Sequence, residues 1–240
     1  MSELNGNLIP LVSPFTDDGS SLSEVRLSRL IRRWREDGSA TGFFIGGEAG
    51  EFLCLSSGER KTLVELVLRD CCGSLPVVVN ISSLSTAKSL DLSQHAARHG
   101  ARAGFLTPPY YGSFSSAEIV NHVRTVVNFS NLPVFLGDFG EGFSAEVEAG
   151  LQDLPRLMRT TMADWDEWTC GETVVSAAST LASILGEPVS PALRALLRSH
   201  GASAVLKAAY ERSGLDLGYP RSPRASVAGS ELGSLLAQAA

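Results

Sequence analysis

Short apolar runs recur along the chain at near-regular intervals: Leu8–Val12, Gly42–Gly47, Val77–Ile81, Ala103–Thr107, Val134–Gly137, Leu157–Met162 and Thr173–Ala177. Most are continuously apolar, the pattern of parallel strands covered on both faces. Between them the apolar spacing changes to three and four, as in Val25, Leu27, Leu30 and Ile31, or Leu63, Val64, Leu66 and Val67. That spacing predicts amphipathic helices. Ser21–Glu24, Ser56–Glu59 and Ser115–Glu118 fit the S-x-x-E capping box, and Gly38 and Gly100 stand where helix C-caps belong. Alternating strands and helices predict a parallel α/β fold.

The 240 residues are close to the roughly 250 of a TIM barrel. No G-x-G-x-x-G follows the first strand, so a dinucleotide-binding sheet has no local support. One interval is too short. Between Met162 and Thr173 lie only the ten residues Ala163–Glu172, whereas a parallel crossover takes about a dozen or more. One βα unit is expected to be missing or collapsed there. Beyond it, Ser190-Pro191 opens a helix to about Ser199, a second covers Ala202–Arg212, and a last one lies near Ser230–Ala239. The expected division is a barrel-like domain over residues 1–188 and a C-terminal helical extension over 189–240.

Composition narrows the function. The net charge is -6, from 20 Lys and Arg against 26 Asp and Glu, with no densely basic stretch, which argues against nucleic acid as a partner. No apolar run approaches a transmembrane helix and no signal peptide is visible, so the expected location is the cytoplasm, with no membrane partner. Cys54, Cys71, Cys72 and Cys170 match no zinc or redox spacing and read as reduced, mostly buried thiols. Only three lysines occur, Lys61, Lys88 and Lys207, each expected at the surface.

Seven motifs then fall in register: Pro10-Leu11-Val12-Ser13-Pro14-Phe15, Asp18-Gly19, Gly47-Glu48-Ala49-Gly50-Glu51-Phe52, Glu59-Arg60-Lys61, Pro76-Val77-Val78, Ser85-Thr86-Ala87 and Pro108-Pro109-Tyr110-Tyr111. This series resembles the dihydrodipicolinate synthase / N-acetylneuraminate lyase family over about the first 135 residues. The resemblance implies a TIM-barrel-like (β/α)8 fold of the class I aldolase type, here shortened near 163–172 and followed by C-terminal helices. It also implies a lyase that binds a small 2-oxo acid through a Schiff base, without a cofactor, in an oligomer.

The family's reacting groups do not carry over. Its Schiff-base lysine ends the sixth strand, where this chain aligns Thr161; its relay tyrosine ends the fifth, where Gly137 stands; the arginine that meets the second substrate aligns with Gly142. Of the G-T-T-G-E loop that holds the 2-oxo acid's carboxylate, the threonines are Glu48 and Ala49, while Tyr111 is kept. Threonine forms no imine, and Glu48 would repel a carboxylate. The resemblance with these replacements points to a pseudoenzyme, a homo-oligomer or the partner of an active paralogue.

The alternative is a divergent lyase with other, metal-assisted chemistry. Carboxylates cluster at strand C-termini, where barrels do their chemistry: Glu48 and Glu51, Asp138 and Glu141, Asp164 and Asp166. Glu48, Asp138 and Asp164 are the candidate ligands of a hard cation. His95 and His99, four apart on a helix, form a possible ligand pair with no third ligand evident. A barrel lacking a βα unit is further expected to expose apolar strand edges that the C-terminal helices or a partner must cover.

Overall fold

The computed structural model describes residues 4–138, 142–164 and 166–239. Five parallel strands open the chain: β1 (Gly6–Leu11), β2 (Gly42–Ile45), β3 (Val77–Asn80), β4 (Ala103–Leu106) and β5 (Val134–Leu136). The helices α1 (Glu24–Asp37), α2 (Ser57–Cys71), α3 (Thr86–Arg98) and α4 (Ser116–Phe129) connect them in turn, and α5 (Ala145–Leu151) follows β5. The caps act largely as their sequence requires. Ser56 with Glu59 and Ser115 with Glu118 form complete capping boxes. α1 is capped by Ser23 instead of Ser21, and its C-terminus closes on Gly38 at φ 72°, a left-handed conformation that favours glycine.

The region 157–176 departs from this repeat. β6 (Leu157–Arg159) pairs in parallel with β5, β7 (Thr161–Asp164) and β8 (Glu167–Cys170) form an antiparallel hairpin, and β9 (Thr173–Ser176) is antiparallel to β8 but parallel to β1. The hydrogen-bonded order is β6-β5-β4-β3-β2-β1-β9-β8-β7. Only Thr160 separates β6 from β7, and its N–H still donates to Leu136 of β5 at 3.1 Å. The first and last strands of the order are therefore two halves of one stretch, and the sheet is a nearly closed barrel of eight staves. The shortening near 163–172 consists of a stave that runs backwards between two tight turns, with no helix on either side of it.

That hairpin alternates where the other strands do not. Met162 and Trp168 are buried, while Thr161, Ala163 and Thr169 are exposed. The outward positions are small or polar, as on a sheet face that meets water. The expected apolar gap does not occur. The apolar faces of α7 (Pro191–His200) and α8 (Ala202–Arg212), which carry Leu193, Leu196, Leu197, Val205, Leu206 and Ala209, are buried in the same core as the barrel's outer shell. α6 (Ala177–Leu185) precedes them and α9 (Leu232–Ala239) packs on α7.

Alternation along each stave creates two cores. Ile9, Phe43, Val77, Val79, Val134 and Leu136 face outward against the helices. Leu8, Phe44, Val78, Phe105, Phe135 and Val175 face inward and meet Met162 and Trp168 in the lumen. Of the cysteines only Cys71 is buried; Cys72 is exposed, and Cys54 and Cys170 are partly so, all four as free thiols.

Candidate functional site

In a barrel the chemistry sits where parallel strands end. The loop after β2, Gly46–Glu51, is fixed there by its neighbours. Ser13, just past β1, donates its hydroxyl to the Gly50 carbonyl at 2.7 Å, and Asn80, ending β3, donates its amide to the Gly46 carbonyl at 2.6 Å. Gly46 has φ 75° and Glu51 φ 53°, so the loop turns sharply at both ends.

Asp166 closes over this loop. It lies in the tight turn into β8, which the reversed stave brings to the mouth, and it is 3% exposed. Its Oδ2 accepts the Ala49 N–H at 2.5 Å, and its Oδ1 has no hydrogen-bond partner. A Cβ on Gly47 would fall 1.8 Å from that Oδ1, so glycine is required for the approach. Burial pushes the Asp166 carboxyl well above the usual carboxylate range; the Ala49 hydrogen bond opposes this, and Glu48, Asp164 and Glu167 add to it.

Below the loop the lumen is packed. Trp168 stacks on Phe105 with centroids 5.0 Å apart, meets Phe44 edge-on at 5.4 Å and lies 5.2 Å from Phe135. Met162 pairs with Trp168 across the hairpin. At the end of β5 a Cβ on Gly137 would come within 2.7 Å of the Met162 sulfur and 2.8 Å of the Phe105 ring. The lumen thus leaves no room for a side chain at position 137.

Thr161, aligned with the lysine position, points out of the barrel and is exposed; the lumen-facing neighbours on its strand are Met158 and Met162. Lys61 pairs with Asp91 at 2.7 Å on the outer helices, and Lys88 is exposed. The surface expectation for Lys207 is corrected. It is 4% exposed, donates to Glu51 at 2.7 Å and to the Tyr219 carbonyl at 3.1 Å, and lies 4.4 Å from the centre of the Phe15 ring. Its partner comes from the loop after β2, so the ion pair anchors α8 to the mouth and keeps the amine out of the lumen. Arg221 reinforces the same junction: its N–H donates to Glu51 at 2.7 Å, and its guanidinium donates to Gly19, Ser20, Cys54 and Glu59.

The mouth carboxylates do not converge on a cation. Glu48, Asp164, Asp166 and Glu167 line a cavity of about 110 Å³ together with Arg194 and Arg198. Glu48 pairs with Arg224 at 2.8 Å, Glu167 with Arg194 at 3.2 Å, and Glu167 also accepts the Ala178 N–H at the start of α6. Burial, then the nearby Asp164, raises the pKa of Glu48. Among the described residues, Glu48, Asp138 and Asp164 form no group of ligand atoms within 4.8 Å. Glu141 lies outside the described residues. Tyr111 is 81% exposed on the loop after β4. A larger groove of about 710 Å³ runs beside the mouth, lined by Glu48, Phe52, Leu53, Ser203, Arg224 and Val227.

Sequence reasoning missed Trp168 and Asp166 in these roles. The available signal was the alternation of Thr161-Met162-Ala163-Asp164 and Glu167-Trp168-Thr169-Cys170, which marks a hairpin solvated on one side.

Comparison with known proteins agrees with this architecture. The chain is 29% identical over 157 residues to a 4-hydroxy-tetrahydrodipicolinate synthase of Methanococcoides burtonii, covering 64% of this chain and 53% of that protein. It is 31% identical over 137 residues to an N-acetylneuraminate lyase of Rhizobium meliloti, covering 57% and 45%. The chain spans about half the length of the curated relatives it matches. Among solved structures it is similar to a dihydrodipicolinate synthase from Bacillus anthracis, with TM-score 0.79, 20% identity and 98% of each chain covered. It is also similar to an N-acetylneuraminate lyase from Proteus mirabilis, with TM-score 0.76, 20% identity and coverage of 98% of this chain and 97% of that one. Similarity of fold thus continues through the hairpin. The model of the Dihydrodipicolinate synthetase family matches residues 3–160, ending where the stave that leads into the hairpin bends, and the chain belongs to that family.

Proposed function

We propose that this chain is a member of its family that does not form the Schiff base. The observation that carries this reading is the filled lumen: Phe44, Phe105, Phe135, Met162 and Trp168 pack against one another where a reacting lysine would need space. None of the three lysines faces that space. Two further features support it. Gly137 has no room for a relay side chain, and the Ala49 N–H, which a bound carboxylate would need, is taken by Asp166.

The test is reductive trapping. Incubation with pyruvate and borohydride should leave the mass of the chain unchanged, and a stoichiometric adduct would overturn the proposal. The buried Lys207 is the residue to check first in that event, since a desolvated amine is the more nucleophilic one.

Such a chain would act by binding. The groove beside the mouth offers space for a small ligand, and the exposed Tyr111 and Leu53 suit contact with a second copy or with an active relative. Light scattering at micromolar concentration should give a mass above 25.4 kDa.

A further inference from the structure

We propose that Glu65, His95 and His99 form a zinc site that ties α2 to α3 on the outer surface of the barrel. His95 and His99 lie one turn apart at the C-terminal end of α3, and Glu65 faces them from α2. One ligand atom from each residue lies within 4.8 Å of the others. His95 Nε2 is 3.1 Å and His99 Nε2 3.9 Å from the same carboxylate oxygen, and the two rings are 4.2 Å apart, centre to centre.

The tautomers favour a metal. His99 Nδ1 lies 2.9 Å from the His95 carbonyl, which can only accept, so Nδ1 carries the proton and Nε2 presents a lone pair. Fixing a histidine through its other nitrogen in this way is the usual support of a metal ligand. His95 is 8% exposed, and its Nε2 has no hydrogen-bond partner despite the nearby carboxylate. The His99 Nε2 lone pair, the unpartnered His95 Nε2 and a Glu65 carboxylate oxygen thus face one point, where a cation would engage all three.

Two imidazoles and one carboxylate are a borderline donor set that suits Zn²⁺ and disfavours Mg²⁺ or Ca²⁺. Zinc ligands stand about 2.0–2.2 Å from the metal, so small side-chain rotations suffice to close the site. The helix C-terminus adds its own attraction for a cation. Glu65 and His99 are solvent-exposed, so an ion has a direct path in and water can take a fourth position.

The experiment uses the chelator-treated full chain. Calorimetric titration with Zn²⁺ should give one equivalent bound, and zinc should raise the melting temperature. Affinity should fall roughly tenfold or more in His99→Ala and in Glu65→Gln, both at exposed positions that should still fold. His200→Ala should bind as the parent chain does. Co²⁺ in the same site should give tetrahedral absorption bands without a thiolate charge-transfer band, which separates this site from the free cysteines. Absence of binding at 100-fold excess zinc, unchanged affinity in both variants, or a thiolate band that survives them would each overturn the proposal.

Discussion

The Asp166 carboxylate accepts the N–H of Ala49, 117 residues earlier in the chain, at 2.5 Å. The contact joins the reversed stave to the loop after β2 and places an acid in a setting that penalises its charge. Gly47 of the family-type loop must be glycine, because Asp166 leaves no space there for anything larger.

Asp166→Asn keeps the acceptor for Ala49 and removes the charge. Because burial raises the Asp166 pKa, the folded chain holds this proton more firmly than the unfolded chain does. The ionisation cost is therefore absent below pH of about 3.9 and grows as pH rises through the raised value. The variant should be more stable than the parent at pH 8 by about 1–2 kcal/mol, with the gain fading towards pH 4. Urea denaturation across that range checks the sign. A variant less stable at pH 8 would mean that the charge is needed.

Trp168→Ala should cost about 3–5 kcal/mol, the range for removing a large buried aromatic side chain. Trp168→Phe should cost much less, because ring packing against Phe44 and Phe105 survives. Near-ultraviolet circular dichroism and denaturation midpoints would report both. A loss under about 1 kcal/mol for the alanine variant would show that the lumen collapses without penalty.

Lys207 and Glu51 form a buried pair in which each side chain is 4% exposed. Lys207→Met or Glu51→Gln alone should cost about 3–5 kcal/mol, since each strands its partner in a dry site. The double variant should cost less than the sum, and a double-mutant cycle would measure the coupling. Additive losses would mean that the Tyr219 carbonyl and the Arg221 N–H alone satisfy the two groups.

Seven of the eight staves were legible from their apolar runs, because a stave buried on both faces leaves a continuous hydrophobic signature. β8 was not, because one of its faces meets water and its four residues fall inside a ten-residue interval. The missing lysine could be read directly. The occupant of the lumen could not, because Trp168 faces inward only once the stave is turned over. The surface reading of Lys207 failed for a related reason: its carboxylate partner lies 156 residues away in sequence. The His95–His99 pair was visible on one helix, whereas Glu65 depends on how α2 packs against α3.

The backward stave has a consequence of parity. A stave parallel to its neighbours needs a return crossing on each side, about a dozen residues apiece. One that runs against them needs none, and here the short turns on either side of β8 make both links. Orientation decides the two links together, so a barrel can shed both crossings or keep both, but cannot shed one. Each crossing shed also removes a loop from the crown above the strands. In this chain a single turn, the one that carries Asp166, replaces two such loops.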